Sequence, residues 1–119
     1  MGGFWTYLLL TYLSQAEKIL DIVLKYRYIL IMRFIVKTSK RSNKNIDKMP
    51  QKIRKLMQIL IEDLESKGPE RKEWDRYSKL SKNEYHCHLS YHWVACWRNE
   101  NNSILIEVYY AGSRENAPY

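Results

Sequence analysis

The sequence predicts an α+β fold in which one strand and two helices precede three consecutive antiparallel strands, with the helices on one face of a small sheet. Two observations carry this prediction. Apolar residues recur at intervals of three and four between Ile53 and Leu64, which is typical of a helix that packs on a core. From Glu84 onward the apolar pattern changes to a period of two, which is typical of strands.

The strand and the helix pair follow from local signals. Arg33–Lys37 is a short, largely apolar run that predicts the strand. Ser39 then offers an N-cap to a helix through Lys48. Pro50 suits the first turn of the second helix, where a missing N–H leaves no hydrogen bond unmade, and Gly68-Pro69 ends that helix. We expect the apolar stripe of the second helix to lie on the sheet.

The three closing strands follow a loop at residues 70–83, which is charged and lacks a period. In the first of these strands His86 and His88 share one face, opposite Cys87, because successive side chains alternate. Strict alternation along the other two strands places three aromatic side chains on one face: Trp93, Trp97 and Tyr109. We expect the helices to cover one face of the sheet and the other face to be open.

Residues 1–31 are set apart from the predicted domain at residues 32–119. They are either an N-terminal extension or the product of a start codon upstream of Met32. Apolar residues at helical spacing between Ile19 and Leu30 favour an amphipathic helix. No membrane span is expected, because charged residues interrupt every window of the required length, roughly 20 residues. Both interpretations of residues 1–31 stay open.

The charge of the chain favours a polyanionic partner. The 119 residues carry a formal net charge of +7, which points to nucleic acid first, then to an acidic protein or a membrane surface. The excess is concentrated between Arg33 and Lys55, where nine cationic residues face one acidic residue. Charge runs are usually solvated helical faces, but this imbalance favours a surface that faces a polyanion.

The two cysteines, Cys87 and Cys96, are interpreted as reduced core thiols of a cytoplasmic protein, because no secretory signal precedes them. A disulfide across the hairpin is the alternative. A zinc site that combines them with the histidines is not favoured, because Cys87 points to the face opposite His86 and His88. No metal and no cofactor are predicted.

Three motifs in the last 35 residues are similar to those of a known family. They are Tyr85-His86-Cys87-His88-Leu89, Val94-Ala95-Cys96-Trp97 and the closing segment 107–119. Together with the order of elements, they resemble the RelE superfamily of toxins from bacterial toxin–antitoxin pairs, and within it a subgroup of cytotoxic translational repressors. The resemblance implies an endoribonuclease that cleaves messenger RNA without metal, often in the ribosomal A site. It also implies a cognate antitoxin that covers the toxin.

Such cleavage needs a base for the 2′-hydroxyl, cations for the charged phosphorane, and an acid for the leaving 5′-oxygen. His86 and His88 are the acid–base candidates, because imidazole titrates near neutral pH. Arg114 is a candidate phosphate clamp, since guanidinium presents a planar fork to oxygen pairs. Two further catalytic candidates are a terminal phenol and a carboxylate that orients a histidine or acts as base: Tyr119 and Glu107.

Candidate RNA-binding residues are of two kinds. Exposed cations are expected to contact the RNA backbone without reading sequence; they are Lys40, Arg41, Lys44, Lys48 and Lys79. The aromatic side chains of Trp93, Trp97 and Tyr109 are expected to stack on unpaired bases. An antitoxin interface and an ordinary core position are the alternatives for these aromatic residues.

The chain departs from the RelE pattern on the middle strand. Better-studied members carry arginine there, whereas the nearest positions here are Trp93 and Val94, neither of which stabilises a phosphate. The closing Gly-x-Arg pattern is retained as Gly112-Ser113-Arg114. The departure leaves two alternatives open: a non-catalytic inhibitor that binds a protein target, as the related ParE proteins bind gyrase, and an inactive remnant.

Overall fold

The computed structural model describes residues 2–31 and 33–119, and the side chains at 6, 8–27 and 33–119. The chain divides into two units at the boundary between residues 32 and 33. The first unit is a single helix, α1, at Gly2–Ile31. In the described part of the chain, no helix combines the length and apolar character that crossing a bilayer requires. Met32, the proposed alternative start, lies outside the described residues.

Helix α1 exposes every side chain that the structure describes in it. At 3.6 residues per turn, six of its polar side chains fall on one broad stripe, and large apolar side chains occupy most of the remaining surface. The stripe consists of Thr11, Ser14, Glu17, Lys18, Asp21 and Lys25. The structure places these residues in a helix, and the side chains of Ile29 and Leu30, part of the predicted apolar pattern, lie outside the described residues.

The second unit is a five-stranded sheet with two helices. Its elements are β1 Ile35–Thr38, α2 Lys40–Lys48, α3 Gln51–Lys67, β2 Ser78–Lys79, β3 Glu84–His88, β4 Trp93–Arg98 and β5 Leu105–Ser113. The strands lie in the order β1-β5-β4-β3-β2. Strand β1 runs parallel to β5, and every other pair is antiparallel. The α+β class, the helix pair and the meander are confirmed. The sequence missed β2, because two residues carry no period.

Both helices of this unit begin and end as predicted. The backbone N–H of Ser42 donates to the Oγ of Ser39 over 3.1 Å and caps α2. Helix α3 begins after Pro50 and ends at Gly68, whose φ of +94° is left-handed. A side chain at Gly68 would also meet the ring of Phe34 at 2.9 Å. Glycine is therefore required at this helix end for backbone conformation and for space.

The predicted stripe of α3 packs against one face of the sheet. Its innermost side chains are buried: Ile53, Met57, Leu60 and Leu64. They join a core to which the strands contribute Cys87, Ala95, Trp97, Ile106 and Val108. We call this side of the sheet the helix face. Trp97 is 0% exposed, and its indole N–H donates to the carbonyl of Pro69 over 2.9 Å.

A bulge between β4 and β5 overturns one predicted grouping. Cys96 pairs with Tyr110, but the next residue, Trp97, pairs with Val108, so Tyr109 is an extra residue in β5. An extra residue reverses the alternation of side chains beyond it. Tyr109 consequently packs with Cys96 and Tyr110 on the face opposite Trp97. The prediction that Tyr109 shares a face with Trp93 and Trp97 is therefore wrong.

Candidate active site on the sheet

The sheet face turned away from α3 carries the two predicted histidines. Strand pairing arranges its side chains in rows that cross the strands. One row is Ser78, His86, Cys96 and Tyr110, and the next is His88, Val94 and Gly112. We call this side the histidine face. The sequence assigned His86 and His88 to one face correctly, because β3 pairs with β4 without a bulge.

The C-terminal segment lies over part of the histidine face. After a 3-10 turn at Arg114–Asn116 the chain reverses, and Ala117 packs against the cluster formed by Val94, Cys96 and Tyr110. The prediction of an open face is therefore wrong. Strand alternation identifies which side chains share a face, but it does not predict where a terminal segment folds back.

His86 lies beneath this segment. Its ring centroid is 4.4 Å from that of Tyr119 and 5.6 Å from that of His88. His86 and His88 are only 8% and 7% exposed, whereas Tyr119 is 52% exposed. The Nδ1 of His86 lies 3.0 Å from the Oγ of Ser78, a hydrogen bond that fixes the orientation of the ring. The structure thus brings together three of the five predicted catalytic residues.

The surroundings keep both imidazoles neutral and the phenol protonated at pH 7. Burial lowers the pKa of His86 below its ordinary value of 6.5, against the opposing effect of a hydrogen bond with the backbone of Ser78. Burial also lowers the pKa of His88, and repulsion from Arg76, from Arg114 and from His86 in its protonated form adds to that effect. Burial raises the pKa of Tyr119 above 10.0. A neutral imidazole can accept a proton, and a protonated phenol can donate one.

Arg98 is a cation on the histidine face that the sequence reading missed. It ends the central strand β4, and its Cζ lies 4.3 Å from the ring centroid of Tyr109. The Nε of Arg98 is buried without a hydrogen-bond partner among the described residues. Alternation predicts its position, two residues beyond Cys96 on the same face. The signal was therefore present in the sequence.

Three predicted site residues do not join the histidines. Glu107 pairs with Arg98 at the other end of the strands and lines a separate pocket with it. Lys79 pairs with Tyr85, and its Nζ lies 5.5 Å from that ring, which belongs to the helix-face core. Trp97 is also remote from the histidines, because it is enclosed in that core.

A cleft lies beside α2 at the end of the sheet where β4 begins and β5 ends, and we call it the end cleft. It consists of two adjoining pockets, of about 450 and 200 Å³, that share Trp93 and Ser113. Tyr91, His92, Arg114 and Glu115 line the larger pocket. Arg41, Asn45, Lys48, Tyr110, Gly112 and Asn116 line the smaller pocket. Of the predicted RNA contacts, the cleft includes Arg41, Lys48 and Trp93. Lys40 and Lys44 are exposed elsewhere on α2.

The two cysteines are free, buried thiols on opposite faces of the sheet. The prediction of core thiols is confirmed, and the hairpin disulfide is not formed. Burial raises the pKa of Cys96 to about 12, so this thiol is protonated at neutral pH. Among the described residues, no three histidine, cysteine or acidic side chains are grouped so as to hold a metal ion.

Comparison with known proteins is informative at the level of structure. No protein-family model matches the chain, and no curated protein sequence matches it. A chain of the archaeal RelE–RelB complex from Pyrococcus horikoshii is 17% identical with a TM-score of 0.59, and the match covers 72% of this chain and 100% of that one. The match is therefore to the whole of that smaller protein.

Two further structures agree with this match. A chain of the E. coli DinJ–YafQ toxin–antitoxin complex is 11% identical with a TM-score of 0.59 and is covered completely, against 74% of this chain. A chain of the YoeB–YefM complex from Staphylococcus aureus is 13% identical with a TM-score of 0.53, with 67% of this chain and 95% of that chain covered. At these identities the matches show the fold alone, and the chain has the RelE-like fold that the sequence predicted.

Proposed function

We propose that this chain is the toxin component of a cytoplasmic toxin–antitoxin pair, which cleaves messenger RNA without a metal ion and is neutralised by a cognate antitoxin. The observation that carries the proposal is the contact between His86 and Tyr119, with His88 beside them. The RelE-like fold supports it, and one structure of that fold is a toxin–antitoxin complex. Residues 32–119 form the toxin domain of this proposal, and residues 1–31 are its extension.

The chemistry follows from the protonation states of these groups. The neutral imidazole of His86 removes the proton of an RNA 2′-hydroxyl, whose oxygen then bonds to the adjacent phosphorus. The bond from phosphorus to the 5′-oxygen breaks as the phenol of Tyr119 donates its proton to that oxygen. The products are a 2′,3′-cyclic phosphate and a 5′-hydroxyl. Once His86 has taken up the proton, its charge keeps the adjacent His88 neutral, because two adjacent imidazolium ions would repel each other.

Cationic side chains stabilise the phosphorane and a neighbouring phosphate in this proposal. Arg98 lies on the same face but at the other end of the strands, so it holds a neighbouring phosphate of the RNA and not the reacting one. Arg114 lies at the start of the segment that carries Tyr119, and its charge already influences His88. Exposed cations of α2 add affinity for the RNA backbone, which is independent of sequence and weakens as salt is raised.

A non-catalytic inhibitor that binds a protein target is the second candidate. The burial of both imidazoles favours it, because RNA reaches His86 only when the C-terminal segment is displaced. In the catalytic proposal, the segment moves only far enough to admit the phosphate between His86 and Tyr119, so the phenol stays within reach of the leaving oxygen. The second candidate predicts that the purified protein binds its target without cleaving RNA, with or without ribosomes.

The decisive experiment is cleavage of a labelled messenger RNA in EDTA, with and without ribosomes. We compare the wild type with His86→Asn, which keeps a hydrogen-bonding group near Ser78, and with Tyr119→Phe, which keeps the ring. Each should lower the rate at least about 100-fold, the usual contribution of a general acid or base. Lys67→Ala is the control, because Lys67 is an exposed residue of α3 paired with Asp63.

Two results would contradict the catalytic proposal. Wild-type cleavage that survives both substitutions would remove His86 and Tyr119 from the chemistry. No cleavage by correctly folded wild type, in either setting, would favour the inhibitor that acts by binding. Folding is checked for every variant by circular dichroism and by its denaturant midpoint.

A further inference from the structure

The end cleft has two halves of different chemistry. The larger pocket is lined by aromatic rings together with one guanidinium and one carboxylate. The smaller pocket is lined by two cations, Arg41 and Lys48, and by amide and hydroxyl groups. The two halves are continuous because Trp93 and Ser113 line both. A ligand that suits the cleft therefore combines a flat ring with an anion.

The aromatic half presents a ring to solvent. Tyr91 is 66% exposed, so most of its ring is accessible to a ligand. The His92 ring stands edge-on against Tyr91, with centroids 5.0 Å apart and planes at 87°. The Cζ of Arg114 lies 5.0 Å from the Tyr91 centroid. This arrangement suits an unpaired nucleobase, which stacks on aromatic rings and guanidinium planes.

The cationic half is kept open by a glycine. A side chain at Gly112 would lie 2.9 Å from the Tyr110 hydroxyl and 3.0 Å from the Nδ2 of Asn45. The Tyr110 hydroxyl cannot retreat freely, because it donates a hydrogen bond to the carbonyl of Ser113. Arg41 and Lys48 then face a space free of side chains. This half suits a phosphate, which cationic and amide donors hold.

We propose that the end cleft binds one unpaired RNA nucleotide, with its base in the aromatic half and its phosphate in the cationic half. The charges set this direction: Glu115 offsets Arg114 in the aromatic half and accepts N–H groups of a base, whereas Arg41 and Lys48 have no carboxylate beside them in the lining of the cationic half. The inference rests on the proposed function and extends it by naming a nucleotide subsite outside the histidine pair.

The position of the cleft fits a subsite next to the reacting phosphate. His88, Val94 and Gly112 are successive partners across three strands. At a strand spacing of about 4.8 Å, Gly112 lies roughly 10 Å from the histidine strand. When one nucleotide is held over Gly112, the next nucleotide of the same RNA chain is therefore placed near His88.

The test measures binding rather than cleavage. The probes are a single-stranded RNA hexamer, 2′-O-methylated at every nucleotide so that the 2′-oxygen cannot attack, and its abasic counterpart with the same phosphates. The full chain is titrated against each by fluorescence anisotropy. The variants are Tyr91→Leu, which removes the ring, Tyr91→Phe, which keeps it, and Arg41→Ala. Lys67→Ala is the matched control for charge, because Lys67 lines a different pocket.

Tyr91→Leu should weaken binding of the base-bearing hexamer about tenfold, within the range known for base stacking, and leave binding of the abasic hexamer unchanged. Tyr91→Phe should bind both as the wild type does. Arg41→Ala should weaken binding of both hexamers and reduce the salt dependence. Lys67→Ala should change neither affinity.

Two results overturn the inference, and they are distinguishable. If the wild type binds the base-bearing hexamer but Tyr91→Leu has no effect, or weakens both hexamers equally, the nucleotide subsite is wrong while the proposed function stands. If the wild type binds neither hexamer, and also cleaves no messenger RNA, the subsite and the proposed RNA cleavage fail together.

Discussion

The helix face and the histidine face of one sheet differ in what covers them. Helix α3 closes the helix face with a long apolar stripe, so side chains such as Trp97 and Val108 are completely buried. On the histidine face, the short segment around Ala117 and Tyr119 provides the cover. A cover of three residues buries less apolar surface than a helix of 17 residues and is displaced more easily. Packing on the helix face thus stabilises the fold, whereas the histidine face carries the titratable side chains.

The largest expected effect is on the helix face. Trp97→Ala removes a fully buried side chain and its hydrogen bond to Pro69, so the free energy of unfolding should fall by about 3–5 kcal/mol. Urea denaturation followed by circular dichroism measures the loss. Trp93→Ala changes a half-buried position in β4, so its free energy of unfolding should fall by clearly less. Equal losses would show that the two positions are not packed as differently as the structure indicates.

Substitutions at the two cysteines give a matched comparison, and the expected change in the free energy of unfolding is of intermediate size. Both thiols are 0% exposed, and Cys96 lies beside the hydroxyl of Tyr109. Cys87→Ser places a hydroxyl in the apolar core and should lower the free energy of unfolding by about 1–3 kcal/mol. Cys96→Ser keeps a hydrogen-bonding group beside Tyr109, so its free energy of unfolding should fall by less. A larger loss for Cys96→Ser would contradict the difference between the faces.

A smaller effect is expected at the C-terminal cover. Tyr119→Ala removes a half-exposed ring that contacts His86, so the free energy of unfolding should fall by only about 0.5–1 kcal/mol. The same change should make His86 react faster with diethyl pyrocarbonate, as followed by mass spectrometry. His92, which is already exposed, serves as the internal control. Unchanged reactivity of His86 would show that Tyr119 does not cover it.

The smallest effect at neutral pH comes from the histidines themselves. Both have a pKa below the ordinary value of 6.5 in the folded chain, so the unfolded chain binds protons at a higher pH. The free energy of unfolding should therefore be at its full value above about pH 6.5 and fall as the pH is lowered towards the folded pKa values.

The pH effect is measured by urea denaturation between pH 7.5 and 5. Replacing both histidines, His86→Asn with His88→Asn, should flatten the dependence in this range. His92→Asn is the control, since His92 is exposed and lies outside the histidine face. A fall in stability that persists unchanged in the double variant would assign it to other groups.

Most of the fold was predictable because its signals are local. The cap at Ser39, the stripe from Ile53 to Leu64 and the left-handed end at Gly68 each depend on residues close together in the chain. The bulge at Tyr109 was not predictable in the same way, because it depends on how β5 pairs with β4. The two-residue strand at Ser78 likewise exists only because β3 offers a partner.

The candidate site was predictable in part. Alternation placed His86 and His88 together, and it would also have identified Arg98. It did not identify the end cleft, whose lining comes from α2, from the connection between β3 and β4, and from the turn after β5. Residues so distant in sequence share no spacing that a pattern can reveal. Tyr91 and His92 were overlooked for this reason.

The sequence by itself determined the α+β class, the order of helix pair and meander, and the histidines' common face, because hydrophobic period and capping act over a few residues. The tertiary structure alone decided that Tyr119 returns to cover His86, that Tyr109 turns away from Trp97, and that Arg41 meets Trp93 in one cleft. Those outcomes depend on contacts between distant segments, whose free energy is gained only when the whole domain packs.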